Sequence, residues 1–481
     1  MVSGIAENVV DYGADPTGAT ESTTAIQAAI DTGNSVYFPA GTYKVSGLTI
    51  EDKQNVSYFS DGHAIITNVG TTKTSRIFEM VGTLIDVTFD GFEIIGDGTT
   101  DADNQGWGCS SGQTIRRATF QNIYIKDTKI GISLNADSSG TIKNCIIKDC
   151  HFQDIVGADP SQGYGVHLPN AFDTTVTSCT FDNIQRHAVY VPRGGNVVVS
   201  DCHFKNHRST VSTGLTRAAC DFARTSRNCI VTNSIFENCY DGCVSILSES
   251  SATSNNEGST ISNCKFYNPL SVSAVIEVGE KAAITGSGVD QLNIYGCVFV
   301  VNQTAKGGGP IVTIENGKHI SVHNNLFRIK NMAGNVNAIV VGDNTYSPNQ
   351  GDLEYVSIID NQFFARGTSG NLIGVAVEGY LGSDVDQSIW VDTKFAQVDA
   401  GLTYQQWASP TYGFANTGLQ GAVGRSTRTN LCWGTAAPVA GTWNRGDIVW
   451  DVTPSAGGTM GWVCTTGGTP GTWKTFGTIA V

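Results

Sequence analysis

Seven short segments of the chain align on one residue each: GISLNA (131–136), GVHLPN (165–170), AVYVPR (188–193), ACDFAR (219–224), CVSILS (243–248), VIEVGE (275–280) and IVTIEN (311–316). Apolar residues flank the third position of each. On a strand that position projects from the opposite face, so it is expected to point outward. Read downward, the column is Ser133, His167, Tyr190, Asp221, Ser245, Glu277 and Thr313. Three residues further along stand Asn170, Arg193, Arg224, Ser248, Glu280 and Asn316. Thr, Ser, Asn and Lys would fill an unselected solvent column. Here His, Tyr, Asp and Glu stand beside arginines, the inventory that proton transfer requires. The plain alternative is a solvated sheet face with incidental charge pairs.

A second signal is independent of that alignment. Between 186 and 227 lie Arg186, Arg193, Lys205, Arg208, Arg217, Arg224 and Arg227, against Asp201 and Asp221. Seven basic minus two acidic residues leave +5, in a chain of formal net charge -14. His187, His203 and His207 share the window. Arginine forks bind carboxylates, so the patch implies an acidic ligand, a sugar acid above all. Structural ion pairing to the acidic remainder is the competing explanation. Arg186 and His187 thus join Arg193, Arg224, Asn170 and Glu280 as expected substrate-binding residues.

Two mechanisms fit. In a lyase, Arg193 or Arg224 neutralises a uronate carboxylate and lowers the pKa of the C5 proton. Tyr190 or His167 takes that proton, and a neighbour protonates the leaving oxygen. A glycoside hydrolase needs a carboxylate pair instead. Asp221 and Glu277 lie two repeats apart, hence about 9.6 Å, at the upper edge of the inverting range and too far for a retaining pair. Glu280 and Glu249 are reserves, and a pair built between subunits would escape this arithmetic. The acidic-ligand patch tips the reading narrowly to the lyase.

The elements that could hold such a column recur through the middle of the chain. NCIIKDCHFQDI (144–155), TVTSCTFDNI (175–184), VVVSDCHFKN (197–206), IVTNSIFEN (230–238), TISNCKFYN (260–268), LNIYGCVFVVN (292–302), ISVHNNLFRI (320–329) and VSIIDNQFFA (356–365) share one pattern. Phe152, Phe181, Phe204, Phe236, Phe266, Phe299, Phe327 and Phe364 fall in register. Two positions earlier stand Cys150, Cys179, Cys202, Ser234, Cys264, Cys297, Asn325 and Gln362; Asn183, Asn206, Asn238 and Asn268 follow two positions later. Period-2 alternation in repeats of roughly 23 to 37 residues predicts the stacked coils of a parallel β-helix, with Phe and Cys ladders inside and Asn at turns. A propeller would need more uniform blades.

Composition agrees. The 481 residues include 56 Gly, 40% are hydrophobic and 15% charged, which argues against disorder and against a nucleic-acid partner. No apolar run approaches a membrane span, so no membrane insertion is expected. Residues 1–20 show no secretory signal. The 13 Cys lack metal-ligand spacing and read as reduced, buried thiols made in a reducing cytoplasm. Neither a metal nor another cofactor is expected. DGTTDADN (97–104) gathers Asp97, Asp101 and Asp103 as a calcium loop might, although a solvated turn is the commoner meaning.

The N-terminal segment NVVDYGADPTGATESTTAIQAAIDTGNSVYFPAGTYKV (8–45) resembles the entry of pectate-lyase-like right-handed β-helix proteins. Glu21 to Asp31 reads as an amphipathic capping helix, and Pro39, Gly41 and Tyr43 turn the chain into the solenoid. FDGFEIIG (89–96) reads as an early coil. From about residue 400 the pattern changes, with Trp407, Trp433, Trp443, Trp450, Trp462 and Trp473 among Gly-Thr-Pro turns. GTWNRGDIVWDVTPSAGGTMGWVCTTGGTPGTWK resembles the small C-terminal β-modules of phage tailspikes and tail fibres.

Together these imply an all-β tailspike: entry segment 1–45, parallel β-helix 46–398, and a C-terminal β-module 399–481 for trimerisation or carbohydrate binding. The resemblance further implies a homotrimer on the phage tail or baseplate, acting at the bacterial cell surface on an acidic capsular or O-antigen polysaccharide. The large N-terminal virion-attachment domain common in that group is not found in these residues, so a longer parent chain is expected. An endo-glycoside hydrolase and a non-catalytic receptor-binding spike are the rival readings.

Overall fold

The computed structural model describes residues 6–69, 76–96, 105–109, 112–135, 140–157, 162–207, 218–240, 242–247, 256–270, 274–279, 288–306, 309–342, 353–377, 389–399, 402–409, 414–416, 431–439, 443, 445–468 and 470–481. The chain divides into two compact units, residues 1–245 and 246–481. The fold is a right-handed parallel β-helix with a short N-terminal helix and a small C-terminal sheet.

After the short strands Glu7–Asn8 and Thr17–Glu21 the first unit forms the helix Thr23–Asp31, whose Ile26, Ala29 and Ile30 are fully buried on one stripe. The helix starts later than Glu21, because Glu21 ends the strand Thr17–Glu21 and its carboxylate accepts from the hydroxyls of Thr23 and Ser46. On the helix, the Gln27 amide donates to Thr49 O and accepts from Thr49 N, each at 2.9 Å. Tyr43 is fully buried and donates its hydroxyl to Pro39 O at 3.0 Å. A Cβ at Gly41 would lie 2.5 Å from Pro16 O, so only glycine lets the two segments pass.

Two large sheets of parallel strands then climb through this unit, with a third, smaller one made of Thr83–Ile85, Thr114–Arg116, Thr141–Lys143 and Ala171–Phe172. In the first, Ser57–Asn68 pairs with Thr88–Ile95, the early coil that FDGFEIIG predicts. Above it each coil contributes two short strands: Thr119–Gln121 and Tyr124–Lys126, Ile146–Lys148 and His151–Ile155, Thr175–Thr177 and Thr180–Ile184, Val198–Ser200 and His203–Lys205, then Ile230–Thr232 and Ile235–Glu237. In the second sheet Leu48–Glu51, Arg76–Val81, Gln105–Cys109, Ile130–Ser133, Tyr164–His167, His187–Pro192 and Cys220–Ala223 pair in that order.

The interior is the ladder the repeats predict. Phe152, Phe181, Phe204 and Phe236 stack at 4.8, 5.0 and 4.5 Å between successive ring centroids. Cys150, Cys179, Cys202 and Ser234 are buried beside them, and Cys202 N donates to Ser234 Oγ at 3.1 Å. Asn183, Asn206 and Asn238 sit in left-handed turns with φ of 55, 52 and 54°, which asparagine tolerates better than most residues.

The second unit repeats the scheme. Phe266, Phe299 and Phe327 stack at 4.7 and 4.6 Å. The next rung is Phe363, stacked on Phe327 at 4.8 Å, and not Phe364. The neighbouring polar position shifts with it from Gln362 to Asn361, which is fully buried and accepts from both the backbone N and Nδ2 of Asn325. In NQFF either Phe satisfies the spacing. The buried Asn pair decides, because an interior amide needs a partner that the exposed Gln362 would not supply.

Parallel pairing extends through Thr403–Ser409. The C-terminal sheet comprises Leu431–Gly434, Ile448–Asp451, Thr459–Thr466 and Thr472–Thr478, the first pair parallel and the others antiparallel. Trp443, buried with Val449 and Cys464, packs edge-on to the half-buried Trp473 at 5.0 Å, and Trp450 packs likewise on Phe476 at 5.1 Å. Twelve cysteines among the described residues are buried thiols. No described helix is long and apolar enough to cross a membrane.

Candidate active site

Register in the second sheet of the first unit sets Ser133, His167, Tyr190 and Asp221 side by side on consecutive coils. Ser245 joins them by donating its hydroxyl to Asp221 Oδ1 at 2.8 Å. The inner ladder fixes where these strands lie. A Cβ on Gly131 would come 2.6 Å from the Phe152 ring, and one on Gly165 2.9 Å from Phe181. Glycine therefore opens both strands, and the backbone is drawn tight against the Phe stack.

The column is not the open solvent face that alternation predicts. Ser133 and Asp221 are each 5% exposed, Ser245 is fully buried, and His167 and Tyr190 are half-buried. Alternation along a strand assigns a side of the sheet and says nothing of what covers that side. Here it carries a second row, with Tyr164 in register with His187, both nearly buried. Tyr164, His167, His187 and Tyr190 form a cluster of near-parallel rings. Tyr164 lies 4.8 Å from His167, 5.7 Å from His187 and 5.4 Å from Tyr190. Tyr190 lies 5.6 Å from His167 and 4.8 Å from His187. The Arg186 guanidinium rests over the Tyr164 ring at 5.1 Å.

The electrostatics differ from ring to ring. His167 Nδ1 is 3.2 Å from Ser133 Oγ. Burial first, and the Arg186 charge second, push its pKa down to about 3, so the ring is neutral near pH 7. Burial also pushes the Tyr190 phenol well above its usual range, helped by the Asp221 charge and opposed by Arg224 and Arg186. Tyr190 is therefore a protonated donor within the field of two arginines. His187 faces Ala218 O through Nδ1 at 2.8 Å and Asp221 Oδ2 through Nε2 at 3.5 Å. A carbonyl can only accept, so Nδ1 carries hydrogen. Asp221 thus has Ser245 on one oxygen and His187 beside the other.

Asn170, Arg193 and Arg224 form a turn column at the ends of these strands. Asn170 N donates to Pro192 O at 3.0 Å and Arg193 N to Ala223 O at 3.3 Å. All three take left-handed φ, at 55, 63 and 65°. For arginine that conformation is uncommon and costs of order 1 kcal/mol or more, which points to a retained role for the side chain.

The basic window is dispersed. Lys205 pairs with Asp182 at 3.2 Å and His203 with Glu237 at 3.2 Å, both on the first sheet. Arg227 is exposed at a separate turn, and His207 is buried. A window of this length spans more than one coil, and the coil's cross-section sends its residues to different faces. Arg186 and Arg224 remain with the rings, and Arg193 is exposed at its turn. Glu277 belongs to the second unit, 5% exposed on Ile276–Val278 and in register with Thr313. Glu280, Glu249, Ser248, Arg208, Arg217 and the Asp97, Asp101 and Asp103 loop lie outside the described residues.

Tyr164 is the ring that the sequence reading passed over. Its signal was the position three residues before His167, matching His187 three residues before Tyr190. Among the described residues, no group of three His, Cys, Asp or Glu could hold a metal ion.

Residues 6–81 match the family model of rhamnogalacturonase A/epimerase, pectate lyase-like. No curated protein matches the chain in sequence. Among solved structures, the chain is similar to a tailspike protein mutant of E. coli bacteriophage HK620 in complex with a pentasaccharide, at 14% identity and a TM-score of 0.54. That match covers 83% of this chain and 81% of the other. It is also similar to PfbA, a surface adhesin of Streptococcus pneumoniae, at 15% identity and a TM-score of 0.50, covering 86% and 94%. These likenesses are likenesses of fold.

Proposed function

We propose that the protein is a phage tailspike depolymerase, a homotrimer carried on the virion tail. It binds an acidic bacterial capsular or O-antigen polysaccharide and cuts it by β-elimination next to a uronic acid. The observation that carries this reading is the cluster of Tyr164, His167, His187 and Tyr190 with Arg186 over its edge and Arg224 acting on Tyr190. The likeness to a pentasaccharide-bound tailspike supports the substrate class.

In the mechanism, Arg186 and Arg224 hold the uronate carboxylate and spread the charge that develops on it, which acidifies the C5 proton. Pairing Arg186 with that carboxylate removes the positive charge that helps to depress His167, so the imidazole becomes more basic when substrate is seated. Neutral His167 then takes the C5 proton. The C4–O bond breaks as the C4=C5 double bond forms, and the protonated Tyr190 hydroxyl delivers its proton to the leaving oxygen. Ser133 steadies His167 through Nδ1.

The hydrolase alternative rests on Asp221. Ser245 and His187 face its two oxygens, which leaves it poorly placed to activate water. A non-catalytic spike would leave the polymer at full length. The test is incubation with acidic capsular polysaccharides, following the ultraviolet absorbance of unsaturated uronate alongside new reducing ends. Both signals rising together is the expected outcome. Reducing ends alone would transfer the role to Asp221 and Glu277. Neither signal on a polymer that the protein binds would end the enzyme reading.

A further inference from the structure

The second unit holds a basic groove that the ring cluster does not use. A hollow of about 470 Å³ is lined by Arg328, Ile329, Lys330, Asn331, Phe364 and Arg366. Arg328, Lys330 and Arg366 are exposed, and among the described residues none of them has an ion-pair partner. They lie on adjacent strands, Leu326–Ala333 and Val356–Ser369. Arg328 is in register with Phe364, and its guanidinium lies 6.0 Å from that ring's centroid. Ile329 pairs with Ala365, and Lys330 and Arg366 follow them, one on each strand where the register shifts, both lining the hollow.

Like charges gathered on neighbouring strands repel one another. In a chain of net charge -14, acidic residues are plentiful, yet three cations share one hollow with no ion-pair partner among the described residues. Two residues along a strand span about 7 Å, so the corner cations and the Phe364 ring fit the footprint of a single sugar ring. We propose that this groove is a second binding subsite, for a glycan that carries anionic substituents. Lys330 and Arg366 take a carboxylate, sulfate or phosphate, Phe364 takes the apolar face of the sugar, and Asn331 takes a hydroxyl. The glycan class rests on the function proposed above; the site itself does not depend on the chemistry of the ring cluster.

The test measures binding of the full chain to polygalacturonate, dextran sulfate and neutral dextran at low and high salt. Both polyanions are expected to bind and neutral dextran not. The double variant Lys330→Gln/Arg366→Gln should weaken that binding about tenfold or more, since each tenfold is about 1.4 kcal/mol. Phe364→Leu should weaken polygalacturonate binding with little change in salt dependence. A loss confined to one polyanion identifies the substituent as carboxylate or sulfate. Unchanged binding by the double variant, or equal binding of neutral dextran, overturns the subsite. Two further results separate this proposal from the function above. If Arg186→Ala abolishes binding while the double variant keeps it, the groove fails and the ring cluster stands. If the double variant loses binding but no polymer is ever cut, the groove stands and the depolymerase reading fails.

Discussion

The first unit contains two sets of stacked rings, one on each of its two large sheets, and they differ in kind. The inner set is Phe152, Phe181, Phe204 and Phe236, one residue type on every rung. The outer set is Tyr164, His167, His187 and Tyr190, at similar ring separations but with Tyr and His exchanging places from one coil to the next. Coil stacking sets the spacing between successive rungs in both, as from His167 to Tyr190 at 5.6 Å. Packing alone is satisfied by repeating one good residue, as the inner ladder does. The outer set departs from repetition while carrying hydroxyls, imidazoles and a buried carboxylate, and packing gives no reason to prefer that.

The comparison breaks most visibly at Phe181. Phe181→Ala opens a cavity between two stacked neighbours and should cost about 3–5 kcal/mol, read as a lower urea midpoint, with turnover per folded molecule unchanged. Tyr190→Phe should do the reverse. Removing one hydroxyl leaves the ring stack, so the midpoint should move by less than about 1 kcal/mol. Turnover on the cleaved polymer should fall about a hundredfold or more, as expected for a lost general acid. If Tyr190→Phe unfolds the protein and spares turnover, the outer set is structural after all.

His167 sharpens the contrast through pH. Its folded pKa lies below the ordinary value of about 6.5, so above that pH it is neutral in both states and contributes no pH dependence. As pH falls from about 6.5 toward 3, the unfolded chain takes up a proton that the folded chain refuses, and stability drops by up to about 1.4 kcal/mol per pH unit. His167→Asn should flatten that limb in urea midpoints measured at several pH values; an unchanged limb would refute the neutral assignment. The smallest stability change is expected at Arg224. Arg224→Asn keeps the left-handed turn and should shift stability by under about 0.5 kcal/mol. Binding of uronate oligosaccharides should nonetheless weaken about tenfold, or about 1.4 kcal/mol.

The solenoid was legible because its signals are local and repeated: the Phe spacing, the Cys two residues before it and the Asn two after. The column was legible as far as register, since GVHLPN and AVYVPR align on composition alone. Its environment was not. Burial of Asp221 and Ser245 depends on what lies over the sheet, which no alternation pattern encodes. The basic window misled because linear proximity ignores the coil's cross-section, and Lys205 and His203 turned to a different sheet. The slip from Phe364 to Phe363 has a similar origin. Two adjacent phenylalanines satisfy one spacing rule, and only the amide contact between Asn325 and Asn361 selects between them.

Gln27 has one further bearing. Leu48–Glu51 is the terminal strand of its sheet, so its outer edge would otherwise offer unclaimed peptide groups to any passing extended segment. The Gln27 amide occupies both the N–H and the C=O of Thr49 with the same donor and acceptor that a neighbouring peptide bond would bring. A single side chain thereby imitates an absent strand. An extended segment docking on that edge finds its partner at Thr49 already taken, so lengthwise addition is blocked at that point of the edge.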